Sequence, residues 1–173
     1  MPTSYQSPMR GDDKTPHTHS QDTRSIQRVE KSHIHTILDH KGHEVITTSP
    51  TTSVSDVVAI LRDKRIGAIV VIDPEGELVG ILSERDIVRA LADRPDHTLP
   101  GQVQELMTTD VQTCSPDDSS ESVLTRMTEG RFRHMPVIEG GQLVGLISIG
   151  DLIHQKLLEL EHEALQLKQL IVG

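Results

Sequence analysis

The stretch "LVGILSERDIV", residues 78–88, returns as "LVGLISIGDLI", residues 143–153. In each copy an apolar run ends in a serine, and an aspartate follows three positions later: Ser83 with Asp86, Ser148 with Asp151. A hydroxyl and a carboxylate at that spacing accept hydrogen bonds from N–H groups that lack partners in a first helical turn, so each copy reads as a strand running into a helix. A cap tolerates several residue types. The return of Gly-x-x-Ser-x-x-Asp with both spacings kept therefore points beyond capping.

Outward from this stretch the whole chain repeats. "VITTSPTTSVSDVVAILRDKRIGAIVVID" (45–73) lies over "VQTCSPDDSSESVLTRMTEGRFRHMPVIE" (111–139) at an offset of 66. Val45 and Val111, Thr47 and Thr113, Pro50 and Pro116, Arg65 and Arg131, and Val71 and Val137 coincide. Each unit reads as a short strand, a helix, two strands around a tight turn, and a second helix. In the first, Val54, Val57, Val58 and Leu61 form a helical stripe with Ser53 as N-cap. "AIVVI" (68–72) and "LVGIL" (78–82) are strands, and "DPEG" (73–76) is the turn between them. The second unit repeats the pattern with Val123, Leu124 and Met127, "MPVI" (135–138), "EGG" (139–141) and "LVGLI" (143–147). Neither half carries enough apolar surface to stand comfortably alone, so the expected architecture is α/β, with two β-α-β-β-α repeats packed about a pseudo-twofold axis.

Composition narrows the function. The chain has 173 residues, no Trp, one Phe and one Tyr, so its core is aliphatic and it lacks the aromatic platforms of single-strand nucleic-acid binding. Residues 1–43 hold six Lys/Arg against five Asp/Glu, leaving eleven against twenty-one for the remainder. A body this acidic repels nucleic acid and anionic membrane, and an anionic ligand must be caught by a few placed cations. Cys114 is the one cysteine, which excludes an internal disulfide. No signal-peptide core and no membrane-length apolar run is present, so the expected location is the cytoplasm.

The run "SERDIVRAL", with "LMTTDVQTCSPDD" and "MTEGRFRHMPVIEGGQLVGLISIGDLI", resembles a tandem cystathionine-β-synthase (CBS) domain pair, or Bateman module, over residues 36–171. The likeness is to stand-alone bacterial pairs without an attached enzyme. It implies binding of an adenine nucleotide such as AMP, ATP or NADH between the repeats, and no catalysis. It further implies that Asp151 accepts hydrogen bonds from both ribose hydroxyls, that Ser148 helps hold sugar or phosphate, and that Thr113 and the backbone at Cys114 contact the base. Met135 and Pro136 would line the base's apolar faces.

The repeats differ where anions would be met. The first has Gly67 and Ala68 at a strand entrance where the second has Arg133 and His134. Arginine suits paired hydrogen bonds to phosphate, so the expected main site is the second, with Arg85 reaching across the axis to it. A first site of Thr47, Gly67, Ala68, Ser83 and Asp86 would be weaker, or its Ser and Asp would only cap. His134 beside a phosphate would make binding pH-dependent near its ordinary pKa of about 6.5.

The expected divisions are a disordered tail over 1–32, repeats over 33–98 and 99–155, and a C-terminal helix over 156–173. His17, His19, His33, His35, His40 and His43 invite a metal, but no cysteine or fixed tetrahedral spacing accompanies them and none is expected. Ile153, Leu157, Leu160, Ala164, Leu167 and Ile171 alternate spacings of four and three, a heptad seam that would contribute to a homodimer. Two rivals remain. One is an enzyme using Asp86, Asp151 or His134 as acid and base; the other is a scaffold with a vestigial cleft.

Overall fold

The computed structural model describes residues 32–172; the expected tail, with His17 and His19, lies outside them except for Ser32. The elements run α1 (Ile34–Lys41), β1 (Thr47–Thr48), α2 (Val54–Lys64), β2 (Ala68–Ile72), β3 (Leu78–Ser83), α3 (Glu84–Asp93) and α4 (Pro95–Thr98). A short 3-10 helix (Val103–Glu105) leads to α5 (Ser120–Gly130), β4 (His134–Glu139), β5 (Gln142–Ser148) and α6 (Ile149–Val172).

The repeat is visible bond by bond. β2 and β3 pair antiparallel, as do β4 and β5, and each hairpin breaks register at the same place, between Val71 and Ile72 and between Val137 and Ile138. β1 adds a parallel strand beside β2, pairing Thr48 with Val71. In the second unit that strand shrinks to one bridge at the equivalent position, Cys114 with Val137. Turn chemistry is as expected: Gly76, Gly140 and Gly141 hold positive φ, and the Asp73 carboxylate accepts from the Glu77 N–H at 2.8 Å. Ser53 caps α2 by accepting from Asp56 N–H. Of the expected stripe, Val54, Val57 and Leu61 are buried, whereas Val58 lies exposed at its edge.

The lead-in segments were not legible as elements, and each packs on the other repeat. Ile34, Ile37 and Leu38 of α1 join Val123, Met127, Met135, Val137, Ile147 and Leu152 in the second repeat's core. Val103 of the 3-10 helix joins Val54, Leu61, Ile69 and Leu82 in the first repeat's core. Backbone bridges mark the exchange, His33 to Ser119 and Gln102 to Ser53. This explains the glycine of the opening motif. A Cβ on Gly145 would stand 2.6 Å from Leu38 Cδ2, and one on Gly80 would stand 2.5 Å from Met107 Sδ. Each strand is bare there so that the crossing segment's apolar side chain can lie on it.

The C-terminal helix does not begin at 156. α6 is continuous from Ile149, because the Ser148/Asp151 cap that starts the repeat's second helix also starts the extension. No described helix is long and apolar enough to cross a membrane.

Candidate functional site

Both Ser-x-x-Asp pairs are capping boxes. Asp86 Oδ2 accepts from Ser83 N at 3.0 Å and from Ser83 Oγ at 2.6 Å, while Asp86 N donates to Ser83 Oγ at 3.4 Å. Asp151 Oδ2 accepts from Ser148 N at 2.8 Å, and Asp151 N donates to Ser148 Oγ at 3.2 Å. The box spends one carboxylate oxygen and leaves the other for a further partner.

What surrounds the two aspartates differs. Asp151 Oδ2 also takes a 2.5 Å hydrogen bond from Lys41 Nζ, and the same ammonium donates to Leu146 O at 2.8 Å. Lys41 ends α1, so the exchanged segment delivers a cation into the Asp151 crevice. Burial pushes this carboxyl's pKa up, but the Lys41 hydrogen bond, the two Ser148 hydrogen bonds and the Lys41 charge together hold it below the ordinary value. At the matching place in the first repeat, Ile81 O accepts from Thr108 N, a backbone group without charge. Among the described residues neither aspartate's Oδ1 takes a hydrogen bond, and Asp86 lines an open space.

That space is a cleft of about 690 Å³ between the repeats, within the usual range of about 300–1,000 Å³ for small-molecule sites. Gly67, Ser83, Arg85, Asp86 and Arg89 line it from the first repeat. Asp110, Gln112, Arg126, Arg131, Arg133 and His134 line it from the second. Five arginines thus converge in a chain whose net charge is −9. Arg85 does cross between the repeats, donating to Arg131 O at 3.4 Å. Arg131 is held at the C-cap of α5 in a left-handed conformation with φ of 57°.

The structure distributes the expected site residues over two places. Arg85, Arg133 and His134 line a cleft with Gly67, Ser83 and Asp86, not with Ser148 and Asp151. Lys41 stands against Asp151, whereas Asp86 lines the cleft beside the arginines. Met135 and Pro136 are buried in β4, Cys114 and Ala68 are buried too, Thr113 is half-buried, and none of them lines the cleft. Thr47 is paired into the sheet opposite Val70. Gly67 is small for a reason visible only in three dimensions: a Cβ there would stand 3.3 Å from His134 Cε1. The Gly/Ala entrance of one repeat leaves room for the Arg/His entrance of the other.

Sequence reading missed Arg126, Arg131 and Arg89. Arg126 stands where the first repeat has Ile60, an asymmetry of the same kind as Arg133 against Gly67. Arg126 donates to Thr113 O and Asp118 Oδ2, both at 3.2 Å, while its Nε is buried without a partner. The His134 pKa is lowered, by burial first, then by Lys41 and Arg133 against the opposing pull of Asp151. Charging of the ring therefore falls below the pH expected from an ordinary histidine. Burial pushes the Cys114 thiol up to about 12. We expect no reaction of this thiol with an aromatic disulfide reagent at pH 7.5 in the folded chain and one equivalent after denaturation; reaction before unfolding would contradict its burial. No cluster of metal-ligating side chains occurs among the described residues.

Comparison with known proteins matches this architecture. The CBS domain family model matches twice, over residues 39–93 and 103–157. The chain belongs to the CBS domain family. The crystal structure of a CBS-domain protein from Agrobacterium tumefaciens is 38% identical, covers 73% of this chain and 94% of its own, and superposes with a TM-score of 0.71. A CBS domain protein from Pyrobaculum aerophilum, complexed with AMP, is 27% identical over 69% of this chain and 89% of its own, with a TM-score of 0.62. An uncharacterized 17.7 kDa protein of Acidianus ambivalens is 34% identical over 63% of this chain and 65% of its own length. This CBS pair spans 41% and 38% of two further curated relatives, from Thermofilum pendens and Methanocaldococcus jannaschii.

Proposed function

We propose that this CBS pair is a non-catalytic regulatory module that binds an adenine nucleotide in the Asp86 cleft. The observation that carries the reading is the pairing, across one cleft, of a carboxylate oxygen without a partner and arginines from both repeats. Asp86 Oδ1 is an acceptor suited to ribose hydroxyls. Arg85, Arg131 and Arg133 offer forked donors suited to phosphate. AMP in the Pyrobaculum aerophilum relative supports the choice of ligand class. ATP and NADH share the adenosine and the anionic group.

A ligand held from both sides favours one arrangement of the repeats over another, by no more than its difference in affinity for the two. That difference is the signal such a module can pass on. The cleft's groups recognise rather than react: the Ser83 hydroxyl is spent in the cap of α3, and guanidinium groups offer donors only.

The test is calorimetric titration with AMP, paired with thermal unfolding. We expect one AMP per chain, and at a hundredfold excess over Kd a stabilisation of about 2.7 kcal/mol. Two AMP per chain would mean that Lys41 yields the Asp151 crevice. No heat and no stabilisation with AMP, ATP or NADH would overturn the nucleotide reading in favour of a scaffold.

A further inference from the structure

α6 is anchored by Leu152 in the second repeat's core and Asp151 in the cap, and Lys156 and Glu159 still lie beside Ser120 and Leu124 of α5, but the opposite side of the helix is open to solvent through Ile171. Ile153, Leu157, Leu160, Leu167 and Ile171 are between 47% and 84% exposed, and Ala164 between them is exposed too. These six positions fall on one stripe with alternating spacings of four and three, the a and d places of a heptad. Leu158 and Leu165 widen the stripe along one side. Among the described residues nothing covers it.

The flanking charges say what does. With Leu157, Ala164 and Ile171 at a, the g places hold Lys156, Glu163 and Leu170 and the e places hold His154, Glu161 and Lys168, so the charged pairs are those between residues 156 and 168. In a parallel, in-register pair each g residue meets the e residue five positions further along the other helix. Lys156 would then meet Glu161 of the partner subunit, and Glu163 would meet Lys168 of the partner subunit. Both contacts are attractive and both occur twice. In a fully overlapped antiparallel pair, which sets Ile153 against the partner's Ile171, e meets e and g meets g. Glu161 would then face the partner's Glu161, and Glu163 the partner's Glu163.

We infer that α6 is a self-association helix, pairing in parallel and in register with α6 of a second copy of this chain. The seam supplies the burial, and the Lys/Glu pattern selects both the partner and its direction. Lys156 lies 3.4 Å from Glu159 of its own helix, a long contact in which the lysine side chain is half exposed and free to be exchanged. Glu161, Glu163 and Lys168 have no ionic partner among the described residues. The inference does not depend on the nucleotide reading, and its test is run without nucleotide.

Sedimentation of the full chain over a range of concentrations should give twice the chain mass at the upper end. Leu160→Glu should leave a monomer whose helix content and melting temperature hold steady, because this part of α6 contributes nothing to either core. Lys156→Glu with Lys168→Glu, which sets acid against acid in both g–e contacts, should weaken the dimer roughly tenfold or more. Direction is read by Leu160→Cys, since d places face each other only in a parallel pair. Mild oxidation should join the two chains through residue 160, with Cys114 silent in its core.

A chain that stays monomeric at every concentration would overturn the inference and leave the stripe for a different protein. So would a dimer indifferent to Leu160→Glu. A dimer that fails to cross-link through residue 160 would overturn the parallel direction.

Discussion

Replacing Leu38 by alanine is expected to destabilise the fold by about 2–5 kcal/mol, the cost of a large cavity in a close-packed core. For a chain of this size that lowers the melting temperature by roughly 4–20 °C. Leu38 belongs to the exchanged segment α1, yet it is buried among residues of the second repeat, lying directly on Gly145. The pair therefore makes a sharper prediction than either residue alone. Gly145→Ala places a methyl 2.6 Å from Leu38 Cδ2 and should destabilise by forcing the leucine out of its rotamer. In the Leu38→Ala background the same methyl enters vacated space, so the double variant should be clearly more stable than the sum of the two changes predicts. Denaturant unfolding of the four proteins measures the coupling. Strict additivity would mean that α1 does not seat on β5.

Arg133→Ala should weaken AMP binding by about 10- to 150-fold, the equivalent of one or two charge-assisted hydrogen bonds worth about 1.5–3 kcal/mol. Arg85→Ala should fall toward the lower end, because that side chain already spends one donor on Arg131 O. Arg133→Lys should recover only part of the loss, since an ammonium keeps the charge but loses the fork that engages two phosphate oxygens. The contrast with Asp151→Asn identifies the occupied crevice. That change removes the negative charge paired with Lys41 and should leave AMP affinity within about twofold if the ligand sits beside Asp86. Should Asp151→Asn abolish binding while Arg133→Ala does nothing, the nucleotide sits in the other crevice, and Lys41 is a latch that ligand displaces. Calorimetry on the four proteins decides between these outcomes.

Much of the fold was legible because the signals that specify it are local. A capping box is a spacing of three, a hairpin is two apolar runs around Asp-Pro-Glu-Gly or Glu-Gly-Gly, and a helical stripe is a spacing of three and four. Comparison of the repeats exposed Arg133 and His134 against Gly67 and Ala68, and Arg133, His134 and Gly67 line the cleft. The same comparison held Arg126 against Ile60, but a lone arginine in an amphipathic helix reads as surface until its guanidinium is seen bonded to Thr113 and Asp118.

The sequence by itself determined that the chain is a doubled unit, where each strand pairs and turns, that Ser83, Asp86, Ser148 and Asp151 begin helices, and that α6 carries an apolar stripe. Tertiary structure alone decided that each lead-in segment packs on the other repeat, and hence that Lys41 reaches Asp151 while Asp86 is left facing the arginines. The physical reason is separation along the chain. Lys41 and Asp151 stand 110 positions apart, with no period or spacing to connect them. An ammonium filling one of two otherwise matched crevices is a consequence of how the cores exchange their covers.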